Sequence, residues 1–215
     1  MFAILTDTAV NGTTYSTAYG DSAPIQQLTI ANKSVLICAQ AYADPRATVR
    51  ALKDQGATHL WLCESVGALS PLLEPGDWLV PDDYIDGTRG QHYTYFSDKA
   101  GGYVQQVPPF DPDSRESLLN ALDEINPRPF RRGVYVCVSN TRLETPAEAT
   151  FWGRSGGHIV GRFLSPCLTL ARELDMKVAV LAVVNRGAGA PGDAVSWEQY
   201  EPVIASALSY LGAKE

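Results

Sequence analysis

The sequence predicts an α/β fold, a single-domain α/β/α sandwich around a mixed central β-sheet. Short apolar runs alternate along the chain with amphipathic stretches, which is the pattern of strands joined by helices. Proline and glycine mark many of the boundaries between them. The chain has 215 residues, of which 45% are hydrophobic and 19% charged, so its composition is globular and not disordered. We therefore expect residues 1–215 to form one domain.

The predicted strands are short runs in which apolar and β-branched residues dominate. In chain order they are Phe2–Leu5, Gln27–Ile30, Val35–Ala39, His59–Cys63, Trp78–Val80, Gly133–Val138, His158–Gly161 and Lys177–Val184. Several of the gaps between them are long enough to hold a helix.

Five stretches carry the signals of helices. Pro45–Gln55 begins with proline, repeats apolar residues at Val49 and Leu52, and stops at Gly56. The other predicted helices are Asp113–Ile125, Pro146–Ser155, Pro166–Leu174 and Trp197–Leu211. Strands and helices alternating in this way favour helices packed on a central sheet.

Charge and hydropathy exclude several classes of function. The net charge of −7 argues against sequence-independent nucleic-acid binding, which needs a basic surface. No apolar run reaches the roughly 18 residues of a membrane span. The first residues lack a basic region and lead directly into a strand, so we expect no signal peptide. These observations predict a cytoplasmic protein with neither a membrane nor a nucleic-acid partner.

No metal site or cofactor is predicted. Asp82, Asp83 and Asp86 cluster in sequence, but no histidine or thiolate joins them at ligand spacing, so loop and structural roles are favoured. The four cysteines show no C-x-x-C pair and are expected to be buried thiols; they are Cys38, Cys63, Cys137 and Cys167.

Polar residues follow several predicted strands or lie near their ends. In open α/β sheets, ligands bind beyond the carboxyl ends of the strands. The residues with this placement are Thr6, Glu64, Arg142 to Glu144, Arg162 and Asn185. We therefore expect them to share one site.

The segment Asn140 to Glu148 reads N-T-R-L-E-T-P-A-E, and Asn185 closes the apolar run Val178 to Val184. These features resemble the base-binding half of the trimeric purine nucleoside phosphorylase and methylthioadenosine or methylthioinosine phosphorylase family. The resemblance implies that Glu144 holds the six-membered ring of a 6-oxopurine. It also implies that Asn185 hydrogen-bonds the base and supports the negative charge that develops as the glycosidic bond breaks.

Two upstream segments extend the resemblance to about three quarters of the chain. Glu64–Leu69 and Pro75–Asp86 are similar to the family's N-A-x-G-G-L motif and its following G-D…P-D-x-I-D motif. The resemblance implies a nucleoside-like substrate, no cofactor and a homotrimer. The aromatic residues Tyr93 to Phe96 lie in Gly87–Pro112, the longest stretch without clear periodicity, which is expected to border the site or a subunit contact.

The half of the site that the family uses for phosphate departs from its pattern in three places. The family's glycine-rich first loop is replaced by Thr6-Asp7-Thr8, and the loop that supplies an arginine after the second strand is shortened, with Arg46 the nearest cation in the sequence. Glu64 stands where the family has asparagine. Phosphate needs backbone amides, hydroxyls and a fixed cation, so ordinary phosphorolysis is not expected.

Two further departures lie where the resemblance implies contact with the sugar. Arg162 replaces a methionine, and a guanidinium there favours an anionic or carboxylate-bearing ligand. Cys167 replaces a glutamate that anchors a hydroxyl. By the same correspondence, the predicted substrate-binding residues are Glu144, Arg142, Arg162, Leu143, Ser65, Thr6 and Cys167.

Several of these residues also have a purely structural interpretation. Glu144 precedes a helix, where a carboxylate stabilises the N-terminus, and Asn185 could serve in a turn. His92 could be a surface residue or a general acid or base, whereas His59 and His158 begin strands and are interpreted as structural. Gly187–Gly192 resembles a phosphate loop in composition alone, so a turn is favoured.

Three functional hypotheses follow. In the first, an enzyme cleaves the N-glycosidic bond of a 6-oxopurine-like nucleoside, with water as the nucleophile and Glu64, Asn185 and His92 as the candidate catalytic residues. In the second, the scaffold performs elimination, cyclisation or isomerisation on a carboxylate-bearing substrate in specialised biosynthesis. In the third, the protein is a non-catalytic relative, which a site closed by pairing of Arg162 with Glu64 or Glu144 would indicate.

Overall fold

A computed structural model describes residues 1–39, 43–96, 103–125, 129–139 and 142–212. The strands are β1 (Phe2–Thr6), β2 (Ser16–Thr17), β3 (Gly20–Asp21), β4 (Ile25–Ile30), β5 (Lys33–Ala39), β6 (His59–Ala68), β7 (Trp78–Leu79), β8 (Asp83–Asp86), β9 (Val134–Cys137), β10 (Ile159–Gly161) and β11 (Lys177–Gly187). The helices are α1 (Pro45–Asp54), α2 (Pro112–Ile125), α3 (Pro146–Arg154), α4 (Cys167–Glu173) and α5 (Trp197–Gly212).

The described strands, apart from the β2–β3 hairpin, form one mixed sheet. Its order is β4-β5-β1-β6-β10-β9-β8, and β11 pairs with β6 on one edge and with β7 on the other. The central strands β5, β1, β6 and β11 run parallel to one another. Strands β4 and β7 are antiparallel to their partners, and β10 is antiparallel to β6. The predicted mixed central sheet is confirmed.

Strand β6 connects the two halves of the sheet. Its first five residues pair with β1 on one side and with β11 on the other. Beyond the end of β1, Gly67 and Ala68 pair with β10 on the side that β1 has left free. This arrangement brings the ends of β1, β6, β10 and β11 together at one region of the sheet.

Helices cover both faces of the sheet. On one face, α2 and α5 pack over buried residues that include Ile4, Trp61 and Leu181. On the other face, α1 and α4 pack over Leu60 and Leu62. Burial of apolar side chains on alternate faces of each strand therefore gives the predicted α/β/α sandwich.

The strand boundaries differ from the prediction mainly where polar residues lie. Strand β6 was expected to end at Cys63 but continues to Ala68, and β11 was expected to end at Val184 but continues to Gly187. Neighbouring strands continue to supply hydrogen bonds there, so polar side chains do not end the pairing. Strand β8 was predicted as part of a loop, and the β2–β3 hairpin was not predicted.

Two predicted features lie outside the described residues. They are Asn140 and Thr141, which open the turn before α3, and the Gly101–Gly102 pair of the long irregular segment. The remainder of that turn, from Arg142 onward, is described.

Replacing Leu52 by alanine should destabilise the fold because the Leu52 side chain in α1 is completely buried against the sheet. A cavity left by a leucine deletion costs about 2–5 kcal/mol of unfolding free energy. The matched control is Leu72→Ala, since Leu72 is 71% exposed and its loss should change stability by less than about 0.5 kcal/mol. Urea unfolding of both variants would measure this, and equal midpoints would contradict the packing described here.

Candidate active site

The structure brings most of the predicted site residues to the same edge of the sheet. Thr6 ends β1, Glu64 and Ser65 lie in β6, and Arg162 directly follows β10. Hydrogen bonds connect Arg162 to Glu64 and to Glu144, which precedes α3. The segments after β9 and β10 and the central strand β6 therefore meet in one connected polar cluster.

Glu64 is a buried carboxylate that holds the backbone after β10. Its Oε1 accepts a hydrogen bond from the backbone N–H of Arg162 at 2.7 Å, and its Oε2 accepts bonds from the hydroxyl of Tyr135 and the N–H of Phe163. Gly161 permits this approach, since a Cβ there would lie 2.0 Å from the Tyr135 hydroxyl oxygen and 2.8 Å from Oε1 of Glu64.

Burial raises the pKa of Glu64 to about 7, against the lowering effect of its hydrogen bonds. The negative charge of Asp7 contributes to this raised pKa. Glu64 therefore exchanges its proton near neutral pH, which is the behaviour expected of a proton carrier and of a carboxyl group kept out of water.

Glu144 lies between two arginines. Its Oε1 accepts a hydrogen bond from Nη2 of Arg162 at 2.6 Å, and its Oε2 accepts bonds from Nη1 of Arg186 at 3.0 Å and from the backbone N–H of Gly189 at 3.1 Å. The side chain of Glu144 is 2% exposed. Although burial raises the pKa of Glu144, hydrogen bonds and the two guanidinium charges outweigh it and lower the pKa, so the group is ionised at neutral pH.

Helix capping does not account for Glu144. Thr145 is the N-cap of α3 and forms a reciprocal capping box with Glu148. Arg142 binds both carboxylate oxygens of Glu148 at 2.7 Å, and the pair is exposed to solvent. Leu143 is 40% exposed beside them. The structural interpretation of Glu144 as a capping residue is therefore wrong.

Asp7 follows β1 and binds β6. Its Oδ2 accepts hydrogen bonds from the backbone N–H of Ser65, at 2.8 Å, and from the Ser65 hydroxyl. The hydroxyl of Tyr200 in α5 lies 3.4 Å from Oδ1. In the same loop, the Thr6 hydroxyl accepts a bond from the N–H of Thr8. Ser65 was predicted as a substrate-binding residue, but its amide and its hydroxyl are both hydrogen-bonded to the carboxylate of Asp7.

Asn185 lies in β11 at an irregularity in the pairing with β6. Its Nδ2 donates to the backbone carbonyl of Asp193 at 2.8 Å. Its Oδ1 is buried and has no hydrogen-bond partner among the described residues. The carbonyl oxygen of this amide is therefore available to a donor on a ligand.

Two of the predicted residues lie elsewhere. His92 is exposed in the segment after β8, and its electrostatic influence contributes to the lowered pKa of Asp44 before α1. Cys167 begins α4 with its side chain in the core, where burial raises the pKa of its thiol to about 12. Cys167 is consequently a neutral packing group, and the described contacts do not join His92 to Glu64, Glu144 or Asn185.

The remaining histidines, carboxylates and glycines have structural contacts. His59 stacks on Phe2, and Nδ1 of His158 accepts a hydrogen bond from Val134. Among the described residues, no group of three or more His, Cys, Asp or Glu side chains is arranged to hold a metal ion. The segment Gly187–Gly192 contains a turn whose amide at Gly189 binds Glu144.

Arg186 is a site residue that the sequence analysis missed. Its guanidinium crosses β6 at Gly67, where a Cβ would lie 2.6 Å from Nη1. Its side chain is only 5% exposed. An arginine directly after an apolar run and an asparagine looks like the solvated end of a strand, so its burial depends on Gly67 and Glu144, which are distant in sequence.

A cavity of about 250 Å³ opens beside Glu144. Its lining includes Glu144, Arg142, Glu148, Arg89, Ser139 and Trp152. This volume is slightly below the usual range for small-molecule sites. Most of the lining side chains named here are charged, and Trp152 is aromatic.

The family of this chain is evident from its sequence as well as its fold. Residues 8–210 match the model of the phosphorylase superfamily, and the chain belongs to that superfamily. The predicted family resemblance and fold are thereby confirmed.

Several relatives are named as phosphorylases of methylthio-nucleosides. The chain is 33% identical over 168 residues to the S-methyl-5'-thioadenosine phosphorylase of Pyrobaculum aerophilum, covering 77% of this chain and 57% of the relative. It is 33% identical over 171 residues to the probable S-methyl-5'-thioinosine phosphorylase of Pseudomonas syringae pv. tomato. That match covers 78% of this chain and 70% of the relative. The chain spans little more than half the length of several of these relatives.

Solved structures confirm the fold. A variant of the adenosine/methylthioadenosine phosphorylase of Schistosoma mansoni, in complex with methylthioadenosine, superposes with a TM-score of 0.87 at 20% identity. That superposition covers 100% of this chain and 92% of the other.

None of the helices in the described residues combines the length and the apolar character that a membrane span requires.

The raised pKa of Glu64 predicts a pH-dependent stability. Because the folded-state pKa is about 7 and the ordinary value is 4.5, the folded state holds this proton more tightly, so stability falls as pH rises from 4.5 to 7. In Glu64→Gln this fall should shrink by roughly 1–3 kcal/mol, at about 1.4 kcal/mol per unit of pKa. Urea unfolding between pH 4.5 and 8 measures it, with exposed Glu74→Gln as the control. Parallel profiles for wild type and Glu64→Gln would show that the carboxyl titrates normally.

Replacing Glu144 by glutamine should leave two buried guanidinium groups without their carboxylate. Breaking a buried ion pair from one side costs about 3–5 kcal/mol. Adding Arg186→Met to that variant should recover part of the loss, since one uncompensated charge is then removed. A double-mutant cycle by urea unfolding measures the coupling, and strictly additive effects would contradict a direct Glu144–Arg186 interaction.

Proposed function

We propose that this chain binds a purine nucleoside-like molecule at this edge of the sheet and cleaves its N-glycosidic bond, with water as the nucleophile. Membership of the phosphorylase superfamily and relatives named as methylthioadenosine and methylthioinosine phosphorylases support the substrate class. The connected positions of Glu64, Arg162 and Glu144 at the ends of neighbouring strands support a single ligand site.

The choice of water depends on one observation, the hydrogen bonds between Asp7 and Ser65. The carboxylate of Asp7 occupies the Ser65 amide, and Glu64 is the next residue of the same strand. An inorganic phosphate approaching this strand end would meet the negative charge of Asp7 and, in the molecules whose Glu64 is ionised, a second negative charge. Two like charges about 4 Å apart cost about 4 kcal/mol at an effective dielectric constant of about 20. A neutral water molecule avoids that cost.

Asp7 is the better placed of the two carboxylates to accept a proton from water. Both oxygens of Glu64 are engaged by the backbone after β10 and by Tyr135, whereas the one described contact of Oδ1 in Asp7 is a long one of 3.4 Å to Tyr200. In the proposed step, Asp7 takes the proton as the water oxygen bonds to C1′. Glu64 holds Arg162 and Phe163 in place and remains a second candidate for the proton acceptor.

Breaking of the bond from C1′ to the base sends the electron pair into the purine ring, which then takes up a proton from solvent, to which Asp7 returns the proton that it accepted. The unpartnered Oδ1 of Asn185 can accept the N–H that this proton forms. Glu144 lines the cavity, so its carboxylate is the candidate acceptor for a ring N–H. Arginine donors suit the O6 and N7 acceptors of a 6-oxopurine.

A second function is favoured by the ion pair between Arg162 and Glu144. This pair occupies the carboxylate that the resemblance assigns to base recognition, as expected of a relative that binds a ligand without cleaving it. The homotrimer implied by the resemblance and the cytoplasmic location both remain predictions.

Base release from inosine, guanosine, adenosine and their 5'-methylthio analogues, with and without phosphate, tests the proposal. We expect release without phosphate, reduced in Asp7→Asn by roughly 10²-fold or more, which is the usual size of a general-base contribution. Asn185→Ala should lower the rate through kcat, since Asn185 acts on the leaving base. Asp21→Asn, at an exposed carboxylate in β3, is the matched control.

Three other outcomes would each have a definite meaning. Release that requires phosphate would restore an ordinary phosphorylase and overturn the role of Asp7. An equal loss of the rate of base release in Asp7→Asn and in Glu64→Gln would assign proton transfer to the two carboxylates together. Binding without release would favour the non-catalytic function.

A further inference from the structure

The cluster of Glu144, Arg162 and Arg186 has an unbalanced charge. One carboxylate faces two guanidinium groups, whose side chains are 14% and 5% exposed. Arginine stays protonated at all physiological pH values, so the three side chains carry a net charge of about +1. A buried charge without a partner is costly, so the cluster favours an added negative group.

The other charged side chains around the cluster do not supply that group. Glu64 accepts hydrogen bonds from backbone amides and Tyr135, and its described contacts include no ion pair with an arginine. Asp7 is directed to Ser65 and Tyr200. Arg142 and Glu148 neutralise each other at the surface.

Arg186 has a donor that is not used. Nη1 binds Glu144, whereas Nη2 is buried and has no hydrogen-bond partner among the described residues. A buried polar group is normally paired, and leaving one unpaired costs free energy. The neighbouring residue, Asn185, also has an unpartnered buried oxygen, so two adjacent residues of β11 each have one buried polar atom without a partner among the described residues.

Arg162 is the more accessible of the two arginines. The described contacts of its side chain all use Nη2, which donates to Oε1 of Glu144 and to the backbone carbonyl of Arg142. A planar guanidinium presents five N–H donors in a fork that matches a carboxylate, a phosphate or the ionised edge of a heterocycle. Arg162 and Arg186 therefore offer donors on both sides of Glu144.

We propose that Arg162 and Arg186 select a substrate that carries a negative charge, and that Arg186 is a specificity-determining residue of this site. A neutral 6-oxopurine would satisfy the free donor but would leave the net charge unbalanced. An anionic group would accept a hydrogen bond from the free donor and would also balance the net charge. This inference deepens the proposed function, on which it depends for the nucleoside-like shape of the ligand, and it adds the charge of that ligand.

The two sources of negative charge are the base and the 5' substituent. Xanthosine and inosine share a similar shape, but the xanthine ring loses a proton near neutral pH. Inosine 5'-monophosphate and inosine differ only at the 5' position. Titration calorimetry of the three compounds at pH 8 and constant ionic strength therefore reports whether charge matters and where on the ligand it lies.

We expect at least one anionic compound to bind roughly tenfold or more tightly than inosine, which is the size of a single charge-assisted interaction. Arg186→Met should abolish that preference, and it should weaken inosine binding less than it weakens binding of the anion, since inosine loses a hydrogen bond but no ion pair. It should still fold, since Glu144 keeps its bond to Arg162. Arg131→Met is the control because it removes an arginine whose ion pair, with Asp123, is exposed at the surface.

If Arg186→Met does not fold, Arg162→Met and the charge-preserving Arg186→Lys provide the same comparison. Equal affinity for all three compounds, or an anion preference that survives in both methionine variants, would overturn the inference. Because binding is measured without turnover, an anion preference without base release would leave this inference standing while the proposed cleavage fails. Cleavage of inosine without any charge preference would leave the proposed cleavage standing while this inference fails.

Discussion

The structure depends on one long strand, β6, which pairs with three others. Its first half is held between β1 and β11, and its second half turns to β10 where β1 has ended. The hydrogen bonds of β6 therefore join both halves of the sheet and determine where the ends of four strands meet. Glu64 and Ser65 lie in the middle of this strand, so the polar cluster is built on a rigid part of the molecule, with helices packed on both faces.

Electrostatics at this edge divide into two parts. On the side of β1, Asp7 and Glu64 place acceptors at the strand ends, and Asp7 is satisfied by Ser65. Where β10 and β11 end, Arg162 and Arg186 surround Glu144 with donors. A site that separates negative and positive regions in this way disfavours an anion at one end and favours it at the other. The geometry that argues against phosphate as nucleophile and the geometry that argues for a charged ligand are thus properties of the same sheet edge.

Much of the fold was predictable because apolar periodicity and breakers are local signals. The helices were placed to within one or two residues, and the mixed sheet was expected from the alternation of elements. Errors arose where polar residues continue a strand, as at Glu64, or where acidic residues form one, as at Asp83–Asp86. Pairing to a neighbouring strand decides such cases, and a sequence window does not contain the neighbour.

The sequence by itself determined the superfamily, the sandwich architecture and the edge of the sheet at which polar residues collect. It also identified Glu144, Asn185 and Arg162 as residues of interest, because each is polar and lies at or after the end of an apolar run. The tertiary structure alone decided which of these groups are paired. The Arg186 guanidinium needs the missing side chain of Gly67 and the carboxylate of Glu144, 42 residues away in the chain, before it can be buried. Such long-range contacts fix the charge and the free hydrogen-bonding groups of the site, because Coulomb and hydrogen-bond energies depend on distance in space and not on separation along the chain.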